Sequence, residues 1–197
     1  MENKVLDIII EFIKGYNAKD SRLLSEDGKS GINSCNYLLP QIIRQYCLNV
    51  NQIYISTEAI NLWNQISGEP IFDYWYRDKV TMTKDGEVEI EEYVGNSNKP
   101  KELRKLKKND TFTFRDVFHD EHIIPIKMIV DELVALKDPN YENVKSILDK
   151  LAVCRMLKTQ DRKIIHKYNR STNLCEVFKT DYKDIELQQL KEWKQRF

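Results

Sequence analysis

The chain has 197 residues, enough for one hydrophobic core with an appended subdomain but not for two large independent domains. Hydrophobic residues make up 41% and charged residues 31%, and with six glycines and five prolines this composition excludes a mostly disordered chain. The 31 basic and 31 acidic residues cancel, which argues against a protein that binds polyanions through its total charge.

The first third of the chain has the spacing of amphipathic helices. Residues 4–14 and 37–50 place apolar side chains at helical intervals, and Ser56 or Thr57 is a suitable N-cap for a helix over residues 58–66. The apolar start is interrupted by acidic residues and has no cleavage site, so it fails as a signal peptide and as a membrane span. We therefore expect a cytoplasmic protein without a membrane partner.

The middle of the chain is rich in aromatic and β-branched residues, which is typical of strands. Residues 72–83 and 87–94 flank the turn-forming sequence Lys84-Asp-Gly86, so a β-hairpin with one acidic, solvent-facing side is predicted. The basic segment 99–108 follows. Because acidic and basic residues are segregated along the chain, we expect a polarised surface whose basic part either binds a polyanion or is simply a solvated face.

The second half is predicted to alternate strands and helices. The segments are, in order, a strand over 111–114, a helix over 126–136, a strand over 151–157, a helix over 160–168 with Thr159 as its N-cap, and a helix over 185–197.

The cysteines have no metal-binding spacing. They are Cys35, Cys47, Cys154 and Cys175, with no C-x-x-C pair, so neither a disulfide framework nor a structural zinc ion is expected. A zinc site that combines His119 and His122 with two of these thiols is disfavoured, because the cysteines are widely separated.

The segment Phe118-His-Asp-Glu-His-Ile-Ile-Pro125 carries side chains suited to phosphodiester hydrolysis. That reaction needs a base for the attacking water and positive charge for the transition state, which one histidine and one divalent cation can supply. His122 is predicted to lie at an exposed strand end, because Pro125 cannot continue a strand. Strand alternation sends Glu121 and His122 to opposite sides unless the chain curls there.

This part of the chain contains an acidic residue, His122, two hydrophobic residues and Pro125 in succession. A second strand and a helix with a polar ligand in its first turn follow later. This order resembles the motif of HNH (ββα-metal) endonucleases. The resemblance implies that His122 is the general base and that Glu121 and Asp161 bind one Mg²⁺ or Mn²⁺ ion. Asp120 stays open as an alternative ligand to Glu121.

The resemblance also implies a domain organisation within an α+β fold. The expected regions are a helical N-terminal region over 1–70 for recognition or dimerisation, a β-hairpin with a basic loop over 71–108, a ββα-metal core over 109–169 and a helical C-terminal extension over 170–197.

A second resemblance involves the run Asp73-Tyr-Trp-Tyr-Arg-Asp78, residues 111–125 and residues 148–165. These parts of the chain resemble type II restriction endonucleases of the NlaIII and IceA kind. That resemblance implies a homodimer that cuts double-stranded DNA at a short palindrome, CATG in those relatives, with a cognate DNA methyltransferase as its genetic partner. The predicted DNA contacts are the basic side chains Arg77, Lys101, Arg104, Lys105, Lys107, Lys108, Lys163 and His166.

Two other classes of protein remain open from the sequence. One is an HNH nicking or homing endonuclease of a phage or mobile element, or a nuclease toxin, which would share the site but not the palindrome. The other is a non-catalytic DNA-binding protein.

Overall fold

The computed structural model describes residues 2–18, 38–47, 52–93, 102–164 and 171–190. Their backbone forms both helices and strands, which confirms the predicted α+β class. The helices are α1 (Glu2–Asn17), α2 (Leu38–Cys47), α3 (Thr57–Ile66), α4 (Phe114–Val117), α5 (Ile126–Val134), α6 (Tyr141–Leu148), α7 (Lys158–Asp161) and α8 (Leu174–Thr180), with a 3-10 helix at Ile71–Asp73. The strands are β1 (Ile53–Ser56), β2 (Lys79–Thr81), β3 (Glu87–Glu92), β4 (Glu102–Lys107), β5 (Thr111–Thr113), β6 (Phe118–His122), β7 (Val153–Leu157) and β8 (Leu187–Leu190).

The chain divides into two compact units, and each is assembled from three separate stretches. The first unit takes its described residues from 1–52, 122–153 and 166–181, and the second from 53–121, 154–165 and 182–197. The predicted regions 1–70, 71–108, 109–169 and 170–197 are consecutive stretches of chain and stay a prediction, whereas each compact unit combines distant stretches. The cause is that strands distant in sequence pair within one sheet, which a linear division of the chain cannot show.

The first unit is built around helices α1, α2, α5 and α6, whose apolar faces form one hydrophobic cluster. In α1, Leu6, Ile9 and Ile13 are fully buried, and their spacing of three and four residues places them on one face. The helices predicted near the start of the chain and after Pro125 are confirmed within the described residues. Among these residues, none of the helices has the length and apolar composition needed to cross a membrane.

The second unit packs helix α3 against an aromatic cluster. The helix begins after Ser56, whose Oγ accepts a hydrogen bond from the Ala59 N–H at 3.1 Å, so the predicted N-cap is confirmed. The buried Trp63 ring lies edge-on to Phe114 and Phe118, with centroid distances of 6.0 and 5.7 Å. These rings anchor α4 and the start of β6 to the core.

A four-stranded sheet in the second unit has the order β6-β7-β1-β8. Strand β8 pairs antiparallel with β1, from Ile53 opposite Leu190 to Ser56 opposite Leu187. The helix predicted over 185–197 is therefore wrong in its described part, and residues 191–197 lie outside the described residues. Leu187 and Leu190 have a spacing that also fits a helix, but here the backbone hydrogen bonds of this segment go to β1.

The predicted hairpin across Lys84-Asp-Gly86 is also wrong. Strand β2 pairs antiparallel with β5, and β3 pairs antiparallel with β4, so the two segments that flank this turn have different partners. The β3–β4 register places Glu87 opposite Lys107 and Glu89 opposite Lys105. Opposite charges facing each other across a strand pair favour this pairing over one between β2 and β3.

The predicted strand over 151–157 is confirmed as β7, but the next helix begins earlier than expected. Its N-cap is Leu157 rather than Thr159, and α7 ends at Asp161 after one turn. The reason lies in Gln160, whose side-chain oxygen accepts a hydrogen bond from the Leu157 N–H at 3.1 Å and so satisfies a donor at the start of the helix. Residues 165–168 of the predicted helix lie outside the described residues.

Candidate metal centre

Strand β6 presents its side chains alternately to two sides, which brings His119 and Glu121 together and directs Asp120 elsewhere. His119 and Glu121 share one side, and His119 Nε2 lies 3.3 Å from Glu121 Oε2. Both side chains are partly buried, 32% and 15% exposed respectively. Asp120, between them, has a different partner.

Asp161 reaches the same place from helix α7, which directly follows β7. One ligand atom from each of His119, Glu121 and Asp161 lies within 4.8 Å of the other two. Asp161 is buried, so the group combines one imidazole and two carboxylates at the margin of the core. We call these three residues the metal-ligand group, because imidazole nitrogen and carboxylate oxygen are ordinary ligands of divalent cations.

Helix α7 is fixed by a buried hydrogen-bond network next to Asp161. The Ser56 hydroxyl donates to the Gln160 side-chain oxygen at 2.6 Å, and the same oxygen accepts from the Leu157 N–H. Ser56 and Gln160 are both buried. Because Gln160 precedes Asp161 directly, this network determines where the Asp161 carboxylate enters the metal-ligand group.

Strand β6 is fixed by Arg155 of the neighbouring strand β7. The Arg155 guanidinium donates to both carboxylate oxygens of Asp120 at 2.7 and 2.8 Å and to the Ile71 carbonyl oxygen at 2.6 Å. It also lies 4.6 and 4.8 Å from the ring centroids of Phe72 and Phe114, and the residue is 2% exposed. Since both oxygens of Asp120 are engaged, the alternative in which Asp120 replaces Glu121 as a ligand is disfavoured.

The electrostatics of the metal-ligand group favour a positive charge at His119. Burial opposes that charge, but the hydrogen bond to Glu121 and the negative charges of Asp161, Glu121 and Asp120 outweigh it and raise the pKa of His119 above its ordinary value. A site that stabilises a cationic imidazole among carboxylates is also suited to a metal cation, which would displace that proton.

Cys154 lies on β7 in the same unit and is fully buried. Burial, with the negative charges of Asp120 and Glu121, raises the pKa of its thiol. A thiol that keeps its proton is a poor zinc ligand, and Cys175 is exposed on α8. Cys35 and the side chain of Cys47 lie outside the described residues, so the expectation that the cysteines hold no zinc ion stays a prediction.

The metal-ligand group brings together two residues that the sequence predicted as metal ligands and one residue to which it assigned no role. Glu121 and Asp161 were predicted as ligands, whereas His119 was considered only for a zinc site. The signal that could have found it is the two-residue spacing between His119 and Glu121 in a strand. His122, the predicted base, is half-buried at the end of β6 and is not one of the three, so its role stays a prediction.

In the described part of the basic segment, residues 102–108, four cations are paired with carboxylates. Arg104 lies 3.2 Å from Glu92, Lys105 and Lys107 lie 2.9 and 3.8 Å from Glu87, and Lys108 lies 2.9 Å from Asp85. The expected polarised surface is therefore wrong, because the acidic strand β3 pairs directly with the basic strand β4. Any contact of these cations with DNA phosphates stays a prediction and would compete with the ion pairs.

The other predicted DNA contacts fall in different places. Arg77 and Lys163 are exposed, and Lys101 and His166 lie outside the described residues.

Comparison of the chain with protein-family models, with curated proteins and with solved structures found no match.

Proposed function

We propose that the protein is a metal-dependent DNA endonuclease of the HNH class, with a ββα-metal core formed by β6, β7 and α7. The observation that carries this proposal is the convergence of His119, Glu121 and Asp161, whose ligand atoms lie within 4.8 Å of one another. Glu121 and Asp161 are distant in sequence, and they are the two positions that the HNH motif pairs as metal ligands. Their proximity in space supports the motif independently of its local sequence.

The residues present fit a divalent cation. Two carboxylates and one imidazole are a donor set that Mg²⁺ or Mn²⁺ accepts, and three protein ligands leave coordination positions for water and substrate. When bound, the ion supplies positive charge at the scissile phosphate and at the departing 3′ oxygen.

The side chains of the chain supply the remaining steps of the proposed reaction. Neutral His122 accepts the proton of the attacking water, and Glu121 and Asp161 hold the cation in a partly buried position where its charge is weakly screened. Hydrolysis then leaves 5′-phosphate and 3′-hydroxyl ends.

The finer proposal is a type II restriction endonuclease that cuts both strands at a short palindrome such as CATG. One active site per chain and a two-fold symmetric target require a homodimer. A methyltransferase that modifies the same site would protect the host DNA. This proposal rests on the resemblance of residues 111–125 and 148–165 to enzymes of that kind.

The direct test of the metal-ligand group is titration of the metal-free protein with Mn²⁺, followed by calorimetry. We expect one saturable site and an increase in thermal stability, about 2.7 kcal/mol at a metal concentration one hundred times Kd. Glu121→Gln combined with Asp161→Asn should abolish both effects, whereas Asp131→Asn, an exposed ion-paired control on α5, should not. Unchanged Mn²⁺ binding in the double variant would refute the ligand assignment.

The roles of the two histidines are separable. His122→Ala should lower plasmid cleavage about 10²- to 10⁴-fold and leave Mn²⁺ affinity unchanged, because a general base acts on water and not on the cation. His119→Ala should weaken Mn²⁺ binding instead. Cleavage that survives in His122→Ala would remove that residue as the base.

Digestion of a sequenced plasmid with Mg²⁺ or Mn²⁺ tests the class of nuclease. Discrete fragments with mapped palindromic ends support the restriction enzyme, nicked circles support a nicking enzyme, and a smear supports a non-specific toxin. DNA binding that is insensitive to EDTA, with no cleavage in any divalent metal, would support a non-catalytic DNA-binding protein.

A further inference from the structure

Two cationic side chains of the second unit, Lys158 and Arg162, come from the same short helical segment as Asp161, and a third, Arg115, lies within electrostatic range of Lys158. Lys158 and Arg162 flank Asp161 on α7, and Arg162 continues the helical backbone as its C-cap. Asp161 and Arg162 follow Lys158 by three and four residues, so each of the two side chains is a neighbour of Lys158 on the helix surface. The third cation, Arg115, comes from α4.

Tyr93 holds the first two cations in place. Its carbonyl oxygen accepts a hydrogen bond from Lys158 Nζ at 3.2 Å, and its ring centroid lies 4.1 Å from the Arg162 guanidinium. The Tyr93 N–H donates to the Asp116 carbonyl oxygen at 2.7 Å, which ties this arrangement to the helix that carries Arg115. The cations are therefore preorganised, unlike surface lysines that must be ordered by the ligand.

Arg115 has a donor that this fold does not satisfy. Its Nε atom is buried and has no hydrogen-bond acceptor among the described residues. The nearest carboxylate oxygen, Asp116 Oδ1, is 3.8 Å away and too far for a hydrogen bond. A buried donor without an acceptor is unfavourable. Nε itself has no access to solvent, so a ligand would contact Arg115 through the exposed part of its side chain, which is 36% exposed.

Lys158 interacts electrostatically with the other two cations. Burial lowers the pKa of Lys158, and the positive charges of Arg162 and Arg115 lower it further, whereas Asp116 and Asp161 act in the opposite direction. All four charged groups therefore lie within electrostatic range of the Lys158 ammonium. If a metal ion bound the Asp161 carboxylate, that carboxylate would no longer fully balance the positive charges of the three cations. The local charge would then favour an anion.

We propose that Lys158, Arg162 and Arg115 form the binding site for a phosphodiester group of DNA next to the metal-ligand group. This inference rests on the proposed function and deepens it by naming the side chains that hold the substrate at the reacting centre. It differs from the sequence prediction, which assigned phosphate contacts mainly to the basic strand β4, where Arg104, Lys105 and Lys107 already have carboxylate partners.

The test measures binding of a short labelled DNA duplex with Ca²⁺ in place of a catalytic metal. Lys158→Met and Arg162→Met should each weaken binding about tenfold and reduce the dependence of log affinity on log salt by about one phosphate contact. Lys158→Arg should restore most of the affinity, since it keeps the charge. Lys127→Met, an exposed cation on α5 paired with Asp131, is the matched control and should leave binding unchanged.

Two further measurements keep a failure of this inference distinct from other failures. Mn²⁺ affinity and thermal unfolding of each variant show whether the metal site and the fold are intact. Duplex affinity equal to that of the unmodified protein in Lys158→Met and Arg162→Met, with Mn²⁺ binding intact, would overturn the inference. If the unmodified protein binds no Mn²⁺, the proposed function fails. The same duplex titrations in EDTA then test the phosphate site by itself: a loss of affinity in the variants supports it, and unchanged affinity refutes it.

Discussion

His119 and His122 lie three positions apart on one strand and have different surroundings. His119 contacts the Glu121 carboxylate, whereas His122 occupies the last position of β6 and is not in the metal-ligand group. The motif in the sequence pointed to Glu121, His122 and Asp161. It gave no role to His119, because membership in a ligand group depends on which side chains a strand turns to the same side.

The raised pKa of His119 has a measurable consequence. In EDTA, NMR titration of the three histidines should show His119 titrating above its ordinary value of 6.5, and Glu121→Gln should lower that pKa by removing the hydrogen bond and the charge. Because the folded pKa is raised, the stabilisation is fully present below the unfolded value and is lost as pH rises through the folded value. As pH rises from the unfolded to the folded pKa of His119, the free energy of unfolding should fall in the unmodified protein and fall less in Glu121→Gln. A pKa of His119 at or below 6.5 would contradict this prediction.

The ion pair between Asp120 and Arg155 predicts a large effect from a small change. Asp120→Asn leaves the buried Arg155 guanidinium without its counter-charge, which should cost on the order of 3 kcal/mol in the free energy of unfolding, measured by urea denaturation. The exposed pair of Lys127 and Asp131 is the control, and Asp131→Asn should cost no more than about 0.5 kcal/mol. Equal losses in the two variants would mean that the buried pair contributes no more than a surface pair.

At the scale of secondary-structure elements, the chain pairs strands across longer distances than its turns indicate. The turn at Lys84-Asp-Gly86 exists, but it separates β2 from β3 instead of joining them in a hairpin. Local turn signals report where the chain bends. The partner of each strand depends on side-chain complementarity, which for β3 comes from the basic residues of β4.

Gly86 makes that bend possible, and its backbone gives a testable prediction. Its φ of 113° is unfavourable for any residue with a Cβ, although nothing lies within 4 Å of the position that a Cβ would occupy. Gly86→Ala should therefore cost about 1 kcal/mol or more of stability through backbone strain alone. Gly68→Ala is the control, because that residue lacks a positive φ and faces only the flexible end of Lys84. Equal stability of the two variants in urea denaturation would contradict the argument.

At the scale of the whole molecule, the two units are interleaved along the chain. The sheet of the second unit needs β1 and β6 from residues 53–121, β7 from the next stretch and β8 from the last. No single cut in the chain therefore yields a fragment with this complete sheet and without parts of the first unit.

A fragment of residues 53–121 should lack cooperative unfolding. In the sheet order, β1 lies between β7 and β8, so this fragment would leave both edges of β1 unpaired. It would also remove Leu157 and Leu190, which pack against the hydrophobic cluster of the second unit. Thermal unfolding followed by circular dichroism, with the full chain as reference, checks this expectation, and a sharp transition in the fragment would contradict it.

The sequence by itself determined the α+β class, the helices with strong periodicity such as α1 and α3, and strand β7, because these depend on local spacing and capping. It also predicted Glu121 and Asp161 as a pair of ligands, because a motif keeps its residue types at fixed places relative to strand and helix. Only the tertiary structure decided that β8 is a strand, that the acidic strand β3 pairs with the basic strand β4, and that His119 lies beside Glu121 and Asp161. Those features depend on contacts between residues far apart in the chain, and local pattern carries no information about which distant partner a strand or a charge will meet.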